Sequence, residues 1–340
     1  MKSNKVLVTG GAGYIGSHTC VELDKAGYEI VVVDNYSNSN PGVFERLKEL
    51  IGKEIKHYDI DCCNMQAFEK VFEENEFQSV IHFAGFKAVG ESVEDPLKYF
   101  NNNLISSLNL ITLMKKYEVK NLVFSSSCTV YGNPIKIPVD ESEPLKVTNP
   151  YGRTKLMIED MLRDFYNKNH DYNIALLRYF NPIGAHPSGL IGEDPNGIPN
   201  CLVPYISQVA IGRRDKLRVF GNDYDTIDGT GVRDYIHVCD LARGHVVVLD
   251  KLKTNCGLVF YNLGTGKGYS VFQVLKSMEK ACGFEIPYEI YPRRSGDVPT
   301  CYSSCYKAYS ELGWKAEYDL DKMCFDAWNF QKNNPNGYNK

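Results

Sequence analysis

Four short runs in the first 130 residues, "KVLVTG", "EIVVVDN", "QSVIHFAG" and "NLVFSSS", are rich in Val, Ile and Phe and do not alternate with polar residues. A strand with one solvated face alternates, so runs that stay apolar are strands covered on both faces. Each is bounded by Gly, Asn or Ser, with helical patterns between them. Strand, helix, strand in this rhythm demands right-handed crossovers and a parallel sheet. The chain is thereby confined to the α/β class, as a doubly wound parallel sheet. "NPYGRTKLMIEDMLRDFYNK" and "YNIALLRYF" add a further helix and strand, the helix marked by Asn149 as its cap and Pro150 in its first position. "VGESVEDPLKYFNNNLISSLNLITLMKKYEVK" reads as one long helical stretch before the fourth run.

The first run opens into "VTGGAGYIGS", so Gly10, Gly13 and Gly16 follow a strand and begin a helix. Glycines there permit a tight turn and a close backbone approach to a pyrophosphate, which the free N–H groups of the helix start stabilise. Asp34 ends the second strand 18 residues after Gly16. A carboxylate at that point accepts hydrogen bonds from adenosine ribose hydroxyls and repels a 2′-phosphate, which favours NAD over NADP. The fold expected is therefore of the Rossmann type.

From residue 181 the texture changes. "NPIGAHPSGLIGEDPNGIPNCLVP" carries too many Pro and Gly for regular structure and reads as a long ordered loop of the kind that lines a site. Shorter elements follow, including "LRVFGND", "GVRDYIHV" and "LVFYNLG", with helical patterns over about 238–252 and 270–282. The expected organisation is an NAD-binding domain over 1–180 and a smaller α/β domain over 181–340, with some late segments returning to the first.

Composition narrows the partners. The 38 basic and 42 acidic residues give a formal charge of −4, with no Lys/Arg-rich run to track a nucleic acid backbone. No stretch approaches the roughly 20 apolar residues that span a bilayer. The apolar run at the N-terminus is too short for a signal segment, and the eleven cysteines are scattered with no C-x-x-C pair. These features point to the cytoplasm. His237, Cys239 and Asp240 lack the spacing of a tetrahedral metal site, and His82 inside a strand reads as a satisfied core residue.

The chemistry is sought where hydroxyls meet a strand end. Ser125, Ser126 and Ser127 are poor core material, and 24 residues after Ser127 come Tyr151 and Lys155, four apart on one helix face. Such a pair also arises from a surface lysine beside a half-buried ring. With Ser127 upstream in a nicotinamide-binding sheet, it reads as a proton-transfer site. A free phenol titrates near ~10, and a nearby ammonium and nicotinamide cation would lower it toward the working pH. The serine run then forms the oxygen-binding edge.

"GGAGYIG", Ser127 with "NPYGRTK", and the Tyr151–Lys155 pair resemble the extended short-chain dehydrogenase/reductase family. Within it, "HFAGFKAVGES", "LRYFNPIGAHPSG", "GEDPNGIPN", "GTGVRDYIHVCDLA" and "YNLGTG" are similar, over essentially the whole chain, to the branch that epimerises nucleotide sugars. The resemblance implies that Tyr151 takes the proton from the sugar 4′-hydroxyl while C4′ gives hydride to bound NAD. The 4-keto sugar would turn about its diphosphate and take the hydride back on its other face, exchanging UDP-galactose and UDP-glucose.

The resemblance also implies the lining residues. Tyr14, Ile15, Asn35, Asn38, Asp59, Ile60, Phe83, Ala84, Lys87, Asn102 and Phe180 would join the glycines, Asp34, Tyr151 and Lys155 around the cofactor. Asn181, Asn200, Leu202, Phe220, Arg233, Tyr235, Arg294 and Asp297 would hold the UDP-sugar with Lys87, Ser127 and Tyr151, the two arginines on the diphosphate. A homodimer is implied as well. Two positions depart from the pattern. Cys201 stands where Asn is common, and Cys301 where some relatives carry Tyr. The small Cys301 implies room for the N-acetylated sugars UDP-GalNAc and UDP-GlcNAc, unless it merely packs. Cys128 and Thr129 stand where 4,6-dehydratases carry an Asp-Glu pair, which argues against elimination. A uronate decarboxylase and a non-catalytic dinucleotide sensor remain as alternatives.

Overall fold

The computed structural model describes residues 4–294 and 297–338. The first half runs β1 (Lys5–Thr9), α1 (Tyr14–Lys25), β2 (Glu29–Asp34), α2 (Val43–Ile51), β3 (Lys56–Asp59), α3 (Met65–Glu73), β4 (Ser79–His82), α4 (Val89–Glu94), α5 (Pro96–Lys116), β5 (Asn121–Ser127), α6 (Pro150–Lys168) and β6 (Asn173–Tyr179). The second runs β7 (Asn181–Ile183), α7 (Leu202–Ala210), β8 (Leu217–Phe220), β9 (Val232–His237), α8 (Val238–Leu252), β10 (Leu258–Leu263), β11 (Gly268–Ser270), α9 (Val271–Cys282), β12 (Tyr288–Tyr291), β13 (Thr300–Cys301), α10 (Tyr306–Leu312) and α11 (Leu320–Asn333).

Seven strands form one parallel sheet in the order β10-β6-β5-β4-β1-β2-β3. Val6, Leu7 and Val8 are all wholly buried, and they divide between two apolar clusters, Val6 and Val8 in one and Leu7 in the other. That is the packing expected of a strand whose side chains alternate between two covered faces. The strand order reverses between β1 and β4, so their C-terminal ends form the crevice where open α/β sheets bind ligands. Beyond this sheet, β9 pairs with β7, β11 and β13, and β8 pairs with β12. A third apolar cluster, including Ile206, Val274, Met278 and Met323, sits among these elements.

Three elements depart from the sequence reading. The long helical stretch is two helices, α4 and α5, broken at Asp95 (φ −133°, ψ 75°). Pro96 pushes the preceding residue off helical geometry, and the Asp95 carboxylate accepts from the Lys98 N–H at 3.1 Å to start α5 afresh. The Pro/Gly-rich segment holds a short strand, β7, because Asn181–Ile183 finds a partner in β9. The edge strand β3 has the sequence KHYD and mostly exposed side chains, so it carries none of the apolar signal that marks the central strands.

Candidate active site

The crevice begins at the glycine turn. Gly10 has φ +71°, and a Cβ there would lie 2.8 Å from the Ala84 nitrogen; one on Gly16 would lie 2.4 Å from the Gly10 carbonyl oxygen. Only glycine lets the turn fold this tightly while β4 closes on it. The Phe83 and Ala84 N–H groups both donate to the Thr9 carbonyl, at 3.0 and 3.1 Å, which fixes the segment after β4 beside the turn. Helix α1 starts from Gly13 with no side-chain cap, so Tyr14 and Ile15 lie in a first turn whose N–H groups face a prospective anion. The Tyr14 hydroxyl donates across to the Gly184 carbonyl at 2.7 Å.

Asp34, 9% exposed at the end of β2, reaches the same turn: its Oδ2 accepts from the Ala12 N–H at 3.0 Å, and Oδ1 accepts from the Tyr36 N–H and the Ser39 hydroxyl at 2.9 Å each. Burial pushes its carboxyl upward, opposed by these hydrogen bonds. Asp59 lies directly opposite on β3, and the Ile60 N–H donates to the Asp34 carbonyl at 3.2 Å. Asn35 and Asn38 are exposed in the loop after β2, and the Asn35 side chain is occupied by the Ser37 N–H. Asn102, in α5, donates to Asn103 at 3.0 Å, and Asn103 in turn accepts from the Phe86 N–H.

The three serines divide by strand alternation. The Ser127 hydroxyl accepts from Thr129, N–H at 3.2 Å and Oγ1 at 3.0 Å, and its hydrogen bonding stabilises the Tyr151 phenolate. Ser125 offers its backbone carbonyl to the Lys155 ammonium at 2.6 Å. Ser126 points to the other face, where its hydroxyl donates to Glu159 at 2.6 Å. Strand alternation thus takes Ser126 off the expected oxygen-binding edge, and the Ser126 hydroxyl and Ser125 carbonyl together seat helix α6. Asn149 caps that helix through the Gly152 N–H at 2.8 Å.

Burial is the largest influence on the Tyr151 phenol and pushes it up to about 12, while the Ser127 hydrogen bond and the charge of Lys87 pull it down. Lys155, 5% exposed with its ammonium 6.0 Å from the Tyr151 ring centre, is lowered by burial to about 8, with Glu159 acting against the shift. In the protein alone, desolvation outweighs the cations. Lys87 is itself tied at 2.9 Å to Glu193 in the Pro/Gly-rich segment, a partner that sequence reasoning missed because nothing in that segment's composition marks one acid above another.

The elements beyond the seven-stranded sheet present the remaining candidates. Arg294 donates to Asp297 at 2.9 Å, Arg233 lies 3.9 Å from the same carboxylate, and the Arg294 guanidinium sits 5.0 Å from the Phe220 ring centre. Register places Cys301 beside Arg233, and Asn181 beside Tyr235. Cys301 is buried in a cluster with Phe180, Val130 and Tyr131, against which Cys128 packs. Asn200 and Leu202 flank Cys201 at the start of α7, where no side chain caps the helix. Cys201, its thiol pushed up to about 11 by desolvation and so uncharged, lies near Tyr151, Tyr14 and Tyr235, which brings this helix start to the crevice. His82 is bonded on both nitrogens, to Thr9 at 2.7 Å and Ser107 at 3.0 Å.

Comparison with known proteins adds an independent finding. Residues 6–264 match the model of the NAD dependent epimerase/dehydratase family. The chain is 58% identical over 333 residues to the UDP-glucose 4-epimerase of Bacillus subtilis, covering 98% of each, and 56% identical over 343 residues to that of Homo sapiens, covering 99% of each. The fold matches the crystal structure of UDP-glucose 4-epimerase from Bifidobacterium longum in complex with NAD+ and UDP, with a TM-score of 0.95, 54% identity, and coverage of 98% of this chain and 99% of that one.

Proposed function

This chain belongs to the NAD dependent epimerase/dehydratase family, and from that premise we propose that it inverts C4′ of UDP-hexoses, exchanging UDP-galactose and UDP-glucose. Its cofactor is NAD. The crevice fits that dinucleotide: an uncapped α1 start for the pyrophosphate, glycines that a Cβ could not replace, and Asp34 beside the turn for the ribose. Held by the glycine turn and Asp34, the dinucleotide would supply the hydride acceptor, and then the hydride donor, for C4′.

The protein's part is proton handling and orientation. Tyr151 takes and later returns the 4′-hydroxyl proton; with a phenol held up to about 12 by burial, it needs the positive charge around it, from Lys87 and Lys155, before it can act as a base near neutrality. Ser127, its lone pairs occupied by Thr129, has one O–H to give, to the Tyr151 phenolate in the protein alone and to the sugar oxygen when substrate is seated. Arg233 and Arg294, converging on Asp297, offer the diphosphate two cations. The observation that carries the reading is the meeting of Ser127, Tyr151, Lys155 and Lys87 at the C-terminal ends of β4 and β5, beside the glycine turn.

Three finer statements belong to the same reading. Cys301, small and packed with Phe180, supports acceptance of UDP-GalNAc and UDP-GlcNAc. Exposed Val93, Leu97, Ile105 and Leu108 on α4 and α5, with Met157 on the adjoining α6, support a homodimer built on that face. The cytoplasm is the compartment in which eleven unpaired thiols persist. The test of the central statement is to incubate the purified protein with UDP-galactose and no added NAD. Formation of UDP-glucose by the wild type, with loss of about 100-fold or more in Tyr151→Phe, is expected; an inactive wild type that retains its dinucleotide contradicts it.

A further inference from the structure

Helix α6 carries three side chains at four-residue intervals, Tyr151, Lys155 and Glu159, so the third lies one turn below the catalytic pair. Glu159 is fully buried, and both its oxygens are used. Oε1 accepts from the Ser126 hydroxyl at 2.6 Å and Arg178 Nε at 3.0 Å; Oε2 accepts from Arg178 Nη2 at 2.8 Å and Arg163 Nη2 at 2.7 Å. Arg178, 1% exposed on β6, spends its remaining terminal nitrogen on the Tyr131 hydroxyl at 2.9 Å, which donates onward to Asn262 in β10 at 2.7 Å. One carboxylate therefore joins α6 to β5, β6 and, through two relays, β10.

A buried ion pair is weak evidence for stability, because desolvation consumes most of the attraction and apolar residues of similar volume often serve as well. Orientation is what this one supplies. The bidentate fork fixes the rotation of α6 over the sheet. Adjacent residues of β5 then hold adjacent turns: Ser126 grips Glu159 through its side chain, while the Ser125 carbonyl receives Lys155 at 2.6 Å. Tyr151 follows as the next member of the row.

We infer that Glu159, clamped by Arg178 and Ser126, is a positioning residue for the Tyr151–Lys155 pair, fixing the seat of Lys155 and placing a carboxylate one helical turn from it. Close to Lys155 lie Tyr151 and Glu159 on its own helix, His82 on β4 and the Phe124 ring on β5 at 4.9 Å, and its ammonium donates to the Ser125 carbonyl. Burial keeps His82 neutral, at about 3, and Arg178 is engaged by Glu159, so Glu159 is the anion among them. It opposes the burial that lowers Lys155.

The inference rests on the catalytic reading above, and its test separates the two. Glu159→Gln keeps shape and one hydrogen-bonding oxygen while removing the charge. Its holoenzyme should lose about 10- to 100-fold in kcat on UDP-galactose with KM nearly unchanged, the alkaline limb of its pH profile moving to lower pH. NMR titration of 13C-labelled lysine, with Lys155→Met to assign the signal, should show the Lys155 midpoint falling by about one pH unit, and Glu159→Asp should restore part of both effects. If Glu159→Gln does not fold, Glu159→Gln with Arg178→Gln removes both buried charges and is read in the same two ways. A folded variant with wild-type kcat and Lys155 midpoint overturns the inference, even if it melts earlier. A wild type inactive on UDP-galactose would instead remove the catalytic reading, and the lysine titration would still decide what Glu159 does to Lys155.

Discussion

Asp34 and Cys301 make opposite kinds of claim at the scale of single residues. Asp34 is bound to the turn through Ala12 and to its own loop through Tyr36 and Ser39, which leaves acceptor capacity on Oδ2 for a ribose hydroxyl. Asp34→Ala should leave the protein folded but strip NAD on gel filtration, seen as a lower ratio of 260 to 280 nm absorbance; undiminished dinucleotide would count against the ribose role. Cys301 claims only space. Cys301→Tyr should abolish turnover of UDP-GalNAc and spare that of UDP-galactose, whereas equal loss of both would show that the residue packs and does not select. Single residues were also the most legible feature of this sequence. The glycine spacing, Asp34 and the Tyr151–Lys155 pair are marked by the physics that demands them, and the structure brings each to the crevice. The partners were not legible. Glu193 meets Lys87 across 106 residues and Glu159 on α6 meets Arg178 on β6, and no local pattern announces such an ion pair.

Elements show the same division. The buried strands could be read because both faces are apolar, and α6 because Asn149 and Pro150 mark its start. The exposed β3 and the three-residue β7 carry no such signal and exist because a neighbour offers hydrogen bonds. On α5, Leu97, Ile105 and Leu108 recur at helical spacing yet are 71%, 42% and 53% exposed, an apolar stripe facing outward. If a second copy covers it, Leu97→Glu should convert a dimer to a monomer in sedimentation velocity with little change in the monomer's circular dichroism. A wild type that sediments as a monomer would dismiss the homodimer.

The whole molecule carries three buried histidines that burial keeps neutral, His18 and His82 at about 3 and His245 at about 4. Their unfolded value is about 6.5, so as pH falls the unfolded chain takes up protons that the native chain refuses. Stability should therefore decline as pH falls through about 6.5 and keep declining toward about 4 to 3, with a limiting slope of about 1.4 kcal/mol per pH unit for each imidazole. Urea midpoints that stay level over that interval would show that these rings charge in the fold. The account as a whole stands on a hydrogen that leaves C4′ and comes back to it while Tyr151 moves only the hydroxyl proton. The most direct measurement uses UDP-galactose carrying deuterium at C4′. Deuterium retained at C4′ of the UDP-glucose formed is the predicted result; deuterium lost to water would contradict it.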